Sequence, residues 1–251
     1  MTLARLEIFA RRRQRIAAAP FAEFSIFQVR AGSKRLGDGQ RQDEIIAGGF
    51  AAVAPGQLLH VENLPPDGGT YRAVCLCLPQ AMLEHASPVP GDAATPPWAP
   101  LPATRALEQA FAHAEQGVTE QLPDNLLRHR VAELVAAVAM AGFQPPLERP
   151  RRLGERIRLL LSAQPAHEWR AEDVASRLAL SEATLRRRLA EETTGFRDIL
   201  EEVRLVHGLA LVQGTDKPLK QVAVECGYAS PSRFTARFRE RFGTLPSDLR
   251  D

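Results

Sequence analysis

Residues 226–243 read CGYASPSRFTARFRERFG. Arg233, Arg237, Arg239 and Arg241 are interleaved there with Phe234, Phe238 and Phe242, after Tyr228. Phenylalanines four residues apart return to one side of a helix, so they predict a buried stripe. Ser230 followed by Pro231 predicts an N-cap and the first helical residue. Gly227 predicts the end of a preceding short helix, because the residue just past a helix terminus often needs positive φ. That helix has Leu219, Val222, Ala223 and Cys226 as its apolar face. Ser232, Arg233, Ala236 and Arg237 remain as the outward stripe of the second helix. Two short helices around a glycine-containing turn follow the helix-turn-helix pattern, whose second helix docks in a DNA major groove.

The same pattern occurs once earlier. AEDVASRLALSEATLRRRLAEETTG, residues 171–195, places Val174, Ala175 and Leu178 on one short helix. A turn through Leu180 leads to Ser181 as the next N-cap. Leu185 and Leu189 then face inward, leaving Ala183, Arg186, Arg187 and Ala190 outside. Ser181 and Ser230 lie 49 residues apart, as in a duplicated unit. Between the copies, Ile199, Leu200, Val203, Val206 and Ala210 predict a connecting helix of about sixteen residues, roughly 24 Å long. With the half-widths of the flanking motifs, that approaches one turn of DNA, about 34 Å.

Together, residues 151–250 resemble the double helix-turn-helix DNA-binding domain of the AraC/XylS transcription regulators. The resemblance runs through Trp169 and AEDVASRL, LSEATLRRRLAEETTGF, and VRLVHGLALV with its Arg204-Leu205 pair. It is most specific over LKQVAVECGYASPSRFTARFRERFGTLPSDLR, where Gly227, Tyr228, Phe234, Phe238, Gly243 and Pro246 match. Two positions depart from the family pattern. Gly208 stands where alanine is usual, which weakens the linker helix by about 1 kcal/mol, and Leu249 stands where an aromatic is usual.

The resemblance implies that Ala183, Arg186 and Arg187 of the first recognition helix, and Ser232, Arg233, Ala236 and Arg237 of the second, read DNA. Arginine can meet guanine O6 and N7 with two hydrogen bonds, and alanine can touch a thymine methyl. Each arginine alternatively binds phosphate or pairs with a carboxylate such as Glu182. Trp169 is read as packing rather than stacking on a base.

The first third of the chain reads as β-structure. FAEFSIFQVRAGSKRL (21–36), EIIAGGFAAVAPGQLLHVEN (44–63) and TYRAVCLCL (70–78) are apolar or alternating runs split by Gly, Pro and Asp. The six prolines between Ser87 and Pro102 predict a loop. Two helices are expected next, over 104–116 and 125–141. In the second, Leu127, Val131, Leu134, Val135 and Val138 form an apolar stripe that either dimerises or covers the sheet. Gly49, Pro55, His60 and Asn63 resemble the second half-motif of a cupin, the small β-barrel found N-terminally in many AraC relatives. The His-x-His and Glu set of a metal cupin is missing, so His60 is read as a structural histidine and no metal or cofactor is expected. Cys75 and Cys77 share one face of a strand and read as core, with a redox role as the alternative. Arg30, Lys34, Arg35 and Arg72 either meet an anion or are solvated. The cluster Arg11–Arg15 reads as a solvated face, with a nucleic-acid contact as the alternative.

The expected fold class is therefore α+β. A small cupin-like β-barrel with two helices forms a regulatory or dimerisation domain over 1–145. An all-α DNA-binding domain of two helix-turn-helix units joined by a linker helix follows over 150–251, with the boundary in QPPLERP (144–150).

Bulk composition fits without deciding. The formal net charge is +2, with 18 Lys+Arg against 15 Asp+Glu from residue 150 onward. Sixteen of those 18 cations are arginine, the residue suited to bidentate recognition. Three cysteines give no disulfide framework and suit a reducing compartment. The N-terminus lacks the apolar stretch of a secretory signal, and no apolar run is long enough to span a bilayer. The expectation is a cytoplasmic, non-enzymatic, sequence-specific regulator, an activator by family resemblance. Its partners would be double-stranded promoter DNA, RNA polymerase, an unidentified small-molecule or protein effector, and a second copy through the 125–141 helix; no membrane partner is expected. The competing classes are a cupin-type enzyme, which lacks its acid/base or metal set, and an interaction scaffold, which would not need arginines on both outward faces.

Overall fold

A computed structural model describes residues 3–83, 96–144 and 152–250. The chain divides into two compact units: Met1–Glu148 with Asp248–Asp251, and Arg149–Ser247. The expected boundary stretch lies, from residue 145 on, outside the described residues, as does most of the proline-rich segment.

The first unit contains β1 (Ala4–Ala10), β2 (Gln14–Phe21), β3 (Phe24–Ala31), β4 (Ser33–Gly37), β5 (Gln42–Ile46), β6 (Phe50–Val53), β7 (Gln57–Leu64) and β8 (Tyr71–Leu78). A short helix α1 (Gln80–Leu83), a strand β9 (Trp98–Leu101), and helices α2 (Arg105–Thr119) and α3 (Asp124–Met140) follow. Two antiparallel sheets result, ordered β1-β8-β3-β6-β9 and β2-β7-β4-β5. The α+β class is as expected, and the described ladders run within each sheet.

Three strands depart from the sequence reading. β1 and β2 occupy the charged N-terminus, and there the cluster taken as a solvated face contributes the buried Gln14. β9 occupies the proline-rich segment taken as a loop. Among the described residues it pairs only with β6, as an edge strand, and that position tolerates the missing N–H of Pro100.

Period-two alternation decides what each sheet face meets. Phe24 and Ile26 of β3, Phe50 and Ala52 of β6, and Val74, Leu76 and Leu78 of β8 point to one side of the five-stranded sheet. They form a single buried cluster with Leu107, Ala110, Phe111 and Ala114 of α2 and Leu127, Val131, Leu134, Val135 and Val138 of α3. Phe50 meets Phe111 edge-to-face at 5.5 Å. Thr104 caps α2 by accepting from the Leu107 amide at 3.2 Å. The α3 stripe therefore covers this chain's own sheet, and dimerisation through Leu127, Val131, Leu134 and Val138 is excluded: each already lies in the core, where burial stabilises by about 1.5–3 kcal/mol per side chain.

The second unit is helical: α4 (Leu153–Ser162), α5 (Ala171–Arg177), α6 (Glu182–Glu191), α7 (Phe196–Gly214), α8 (Leu219–Glu225) and α9 (Pro231–Phe242). At 19 residues, α7 is longer than the sequence predicts, about 28 Å. Its N-terminal half contributes Ile199 and Val203 to a core with Ile157, Leu161, Trp169, Val174, Ala175, Leu185 and Leu189. Its C-terminal half buries Leu205, Gly208, Leu209 and Val212.

Gly208 has a packing reason to be glycine. A Cβ there would stand 2.7 Å from Phe234 Cε2 and 2.9 Å from Cζ. The Phe234 ring is wedged between Tyr228 and Phe238, each with its ring centroid 5.5 Å away, and cannot withdraw freely. Gly208→Ala should gain about 1 kcal/mol of helix propensity and lose about 1–3 kcal/mol to overpacking. The expected result is a net destabilisation in urea unfolding; a higher midpoint would show the ring yields more easily than its contacts indicate.

Candidate nucleic-acid interface

Each helix-turn-helix pair is built by the same local devices. Ser181 Oγ accepts from the Thr184 amide at 3.1 Å and opens α6; Ser230 Oγ accepts from the Arg233 amide at 3.4 Å and opens α9, with Pro231 as first residue. The turns differ. Gly227 takes φ 78° after α8, whereas Ala179 takes φ 56° after α5, a left-handed alanine. The inward faces are as expected: Leu185 and Leu189 of α6, and Phe234, Phe238 and Phe242 of α9, are all buried. The three phenylalanines form a ladder, with centroid separations of 5.5 and 4.7 Å.

The outward faces carry the residues singled out above. Ala183, Arg186 and Arg187 are exposed on α6; Ser232, Arg233 and Ala236 are exposed on α9, and Arg237 is half-buried beside them. The arginines are not equivalent. Arg186 and Arg233 make no ion pair among the described residues. Arg187 has only a loose contact with Glu191 at 4.0 Å. Arg237, expected on the free stripe, is held by Glu240 at 2.8 Å and by Glu201 of α7 at 3.0 Å. These carboxylates, Glu240 first, raise its pKa further. Both pairs are solvent-exposed, so each contributes little to stability.

Side chains behind the outward faces tie the helices of this unit together. Arg241 of α9 makes a two-pronged pair with Glu202 of α7 at 2.6 and 2.7 Å. Glu192, at the C-cap of α6, accepts from the amides of Leu153 and Gly154 at 2.8 and 3.0 Å, placing a carboxylate on the N-terminus of α4. Arg204 of α7 donates to the Pro165 and His167 carbonyls at 3.0 and 3.1 Å. A Cβ on Gly227 would stand only 2.9 Å from the Arg204 guanidinium. Trp169 is buried and donates to the Gln164 carbonyl at 2.9 Å, a packing role as expected.

The first unit holds a different arrangement. Lys34 of β4 is 1% exposed. Its ammonium donates to Asn63 Oδ1 at 2.7 Å and lies 4.8 Å from the Phe27 ring and 5.7 Å from the Tyr71 ring, bridging the two sheets. Asn63 donates onward to Gln14 at 2.9 Å. No carboxylate pairs with Lys34 among the described residues, and the buried Tyr71 hydroxyl has no hydrogen-bond partner. Of the four cations that the sequence groups together, Lys34 alone is buried; Arg30, Arg35 and Arg72 pair with Glu115, Glu44 and Glu7. His60, read as a structural histidine, is exposed on β7, because Leu59, Val61 and Asn63 take the inward positions. Among the described residues no group of three or more His, Cys, Asp or Glu is placed to hold a metal ion.

Burial pushes the Lys34 pKa down to about 8. In the unfolded chain a lysine keeps its proton to about 10.4. Between those values the unfolded state binds more protons, so stability rises with pH. The buried Cys75 thiol, whose pKa burial raises, acts in the opposite sense above about pH 8.5. Between about pH 7.5 and 9.5 the thermal midpoint of the first unit should therefore climb relative to that of Lys34→Met, and a difference between the two that does not change with pH contradicts a desolvated ammonium.

Residues 174–251 match a family model described as a helix-turn-helix domain. The HTH-type transcriptional regulator YdeO of Escherichia coli K12 is 35% identical over 91 residues, 36% of this chain and 36% of that protein. The HTH-type transcriptional regulator GadX of the same strain is 34% identical over 96 residues, 38% of this chain and 35% of that protein. The matched stretch thus spans little more than a third of the length of these curated relatives. A structure of ToxT from Vibrio cholerae, solved with a bound unsaturated fatty acid, superposes with a TM-score of 0.66 over 98% of this chain and 94% of that one. At 16% identity this likeness speaks to fold alone.

Proposed function

We propose, from the premise that the C-terminal unit is an AraC-type double helix-turn-helix domain, that this protein is a sequence-specific DNA-binding transcription regulator. The observation that carries the reading is a pair of N-capped helices, each with its apolar side buried and an unpaired arginine outward: Arg186 on α6 and Arg233 on α9. In this reading Ala183, Arg186 and Arg187 enter one major groove, and Ser232, Arg233 and Ala236 the next. Arg237 joins them after leaving Glu201 and Glu240, a small cost for exposed pairs. The regulator is non-enzymatic and activates through RNA polymerase, as the family resemblance implies. No helix among the described residues is long and apolar enough to cross a membrane.

The first unit is proposed as the effector sensor. The buried Lys34 ammonium has the Asn63 carbonyl but no carboxylate beside it among the described residues, and the nearby buried Tyr71 hydroxyl has no partner there. An organic acid would give both donors an anionic acceptor, and the fatty acid of the ToxT structure belongs to that class.

Genome-wide footprinting of the protein on its own chromosome tests the main reading, and discrete sites sharing a sequence are expected. Affinity for such a site should fall steeply as salt rises, because phosphate contacts release counterions. Uniform occupancy, or affinity indifferent to salt, would count against a phosphate-anchored, base-reading mode.

A further inference from the structure

We propose that Cys75 and Cys77 are a redox-active dithiol, a site at which hydrogen peroxide or a related hydroperoxide is reduced as a disulfide closes between them. The inference rests on the first unit alone and does not depend on DNA binding.

The two thiols project from the same face of β8, and their sulfurs lie 3.6 Å apart. β8 runs between β1 and β3, with Cys75 opposite Leu6 and Phe27, and Cys77 opposite Ala4 and Ser25. The pair is asymmetric. Cys75 is buried, whereas Cys77 keeps partial solvent exposure at the end of the strand where Ala4 is open to solvent. Ser25 Oγ lies 3.8 Å from the Cys77 sulfur. Hydrogen bonding from Cys75, then from Ser25, lowers the Cys77 pKa, while burial raises that of Cys75. The thiol of the less buried cysteine is thus the more readily ionised one, which suits the attacking thiolate of a peroxide-sensing pair. The Lys34 ammonium favours the thiolate form of Cys75.

The chemistry balances with peroxide as oxidant. The Cys77 thiolate attacks one peroxide oxygen; the O–O bond breaks, and the released hydroxide takes a proton to become water. Cys77 is left as a sulfenic acid. The Cys75 sulfur then attacks the Cys77 sulfur; the S–S bond forms, and the sulfenic hydroxyl leaves as a second water with the Cys75 proton. Two electrons pass from the sulfurs to the peroxide. Residues two apart on a strand have Cα atoms about 6.6 Å apart, near the upper limit that a disulfide spans. Closure therefore puckers β8 at Leu76, which lies between the cysteines and packs into the cluster under α2 and α3. Such a bond is readily reduced, as in reversible rather than structural disulfides.

The test uses the full reduced chain and hydrogen peroxide at a modest molar excess, read by alkylation and peptide mass mapping. The tryptic segment 73–105 should lose two hydrogens, recover them on treatment with dithiothreitol, and leave Cys226 free to alkylate after unfolding. Cys75→Ser should accumulate a sulfenic acid at Cys77, trapped by dimedone; Cys77→Ser should form no disulfide. Wild-type protein in which both thiols stay free, overoxidise without linking, or link only between molecules would overturn the proposal. Because the wild-type result decides, a serine variant that folds poorly does not rescue it.

Discussion

Phe238→Ala should remove most of the stability of the C-terminal unit. The ring is fully buried, with Phe234 at 5.5 Å and Phe242 at 4.7 Å on either side. Truncating a buried phenylalanine costs about 3–5 kcal/mol, through lost transfer energy and the cavity left behind. A domain holds only about 5–15 kcal/mol in total. The ladder also seats α9, so a loosened Phe238 frees the helix that carries Arg233. Urea unfolding followed through Trp169, which lies in the same unit, should show a large drop in midpoint. DNA binding should fall with it at temperatures where the wild type is fully folded. A loss below about 1 kcal/mol would mean the ring is not the packed anchor described, since even a conservative core truncation usually costs that much.

The second large effect is on affinity rather than stability. Arg186→Ala combined with Arg233→Ala should weaken binding to a cognate site by about 2–6 kcal/mol, or roughly 30-fold to 20,000-fold, because each bidentate guanine contact is worth about 1–3 kcal/mol. The two residues lie in different motifs and share no partner, so their contributions should nearly add. Both are exposed, and alanine is a good helix former, so the circular dichroism spectrum should not change. Arg237→Ala should cost less, because that guanidinium must first leave Glu201 and Glu240. If the double variant weakens cognate and random DNA equally, the arginines bind phosphate and do not read bases.

The C-terminal architecture was legible because its determinants are local. Phenylalanines at four-residue steps, Ser-Pro at a helix start and glycine at a helix end act within a few residues of one another. The N-terminal unit was less so. Strand pairing there joins residues far apart in sequence, so a charged N-terminus did not reveal β1 and β2, and a proline-rich run concealed the edge strand β9. The stripe on α3 was visible, but its covering was not: an apolar face looks the same whether a sheet or a second copy buries it.

The candidate interface shows the same division. Outward placement of Ala183, Arg186, Arg233 and Ala236 followed from helical period alone. The capture of Arg237 by Glu201 did not, since α7 and α9 meet only in the folded unit. Its pairing with Glu240, one turn along the same helix, was open to view. The exposure of His60 follows from the alternation of β7, in which Leu59, Val61 and Asn63 claim one face and leave His60 on the other. Nothing in the sequence marks which of Arg30, Lys34, Arg35 and Arg72 a second sheet will cover.

Hydroxyl-radical footprinting of a cognate site tests the central claim most directly. The account predicts two protected patches on one face of the duplex, about one helical turn or 10 base pairs apart. Arg186→Ala should erode one patch and Arg233→Ala the other. A single patch, or two patches that both substitutions leave intact, would contradict two recognition helices entering consecutive grooves.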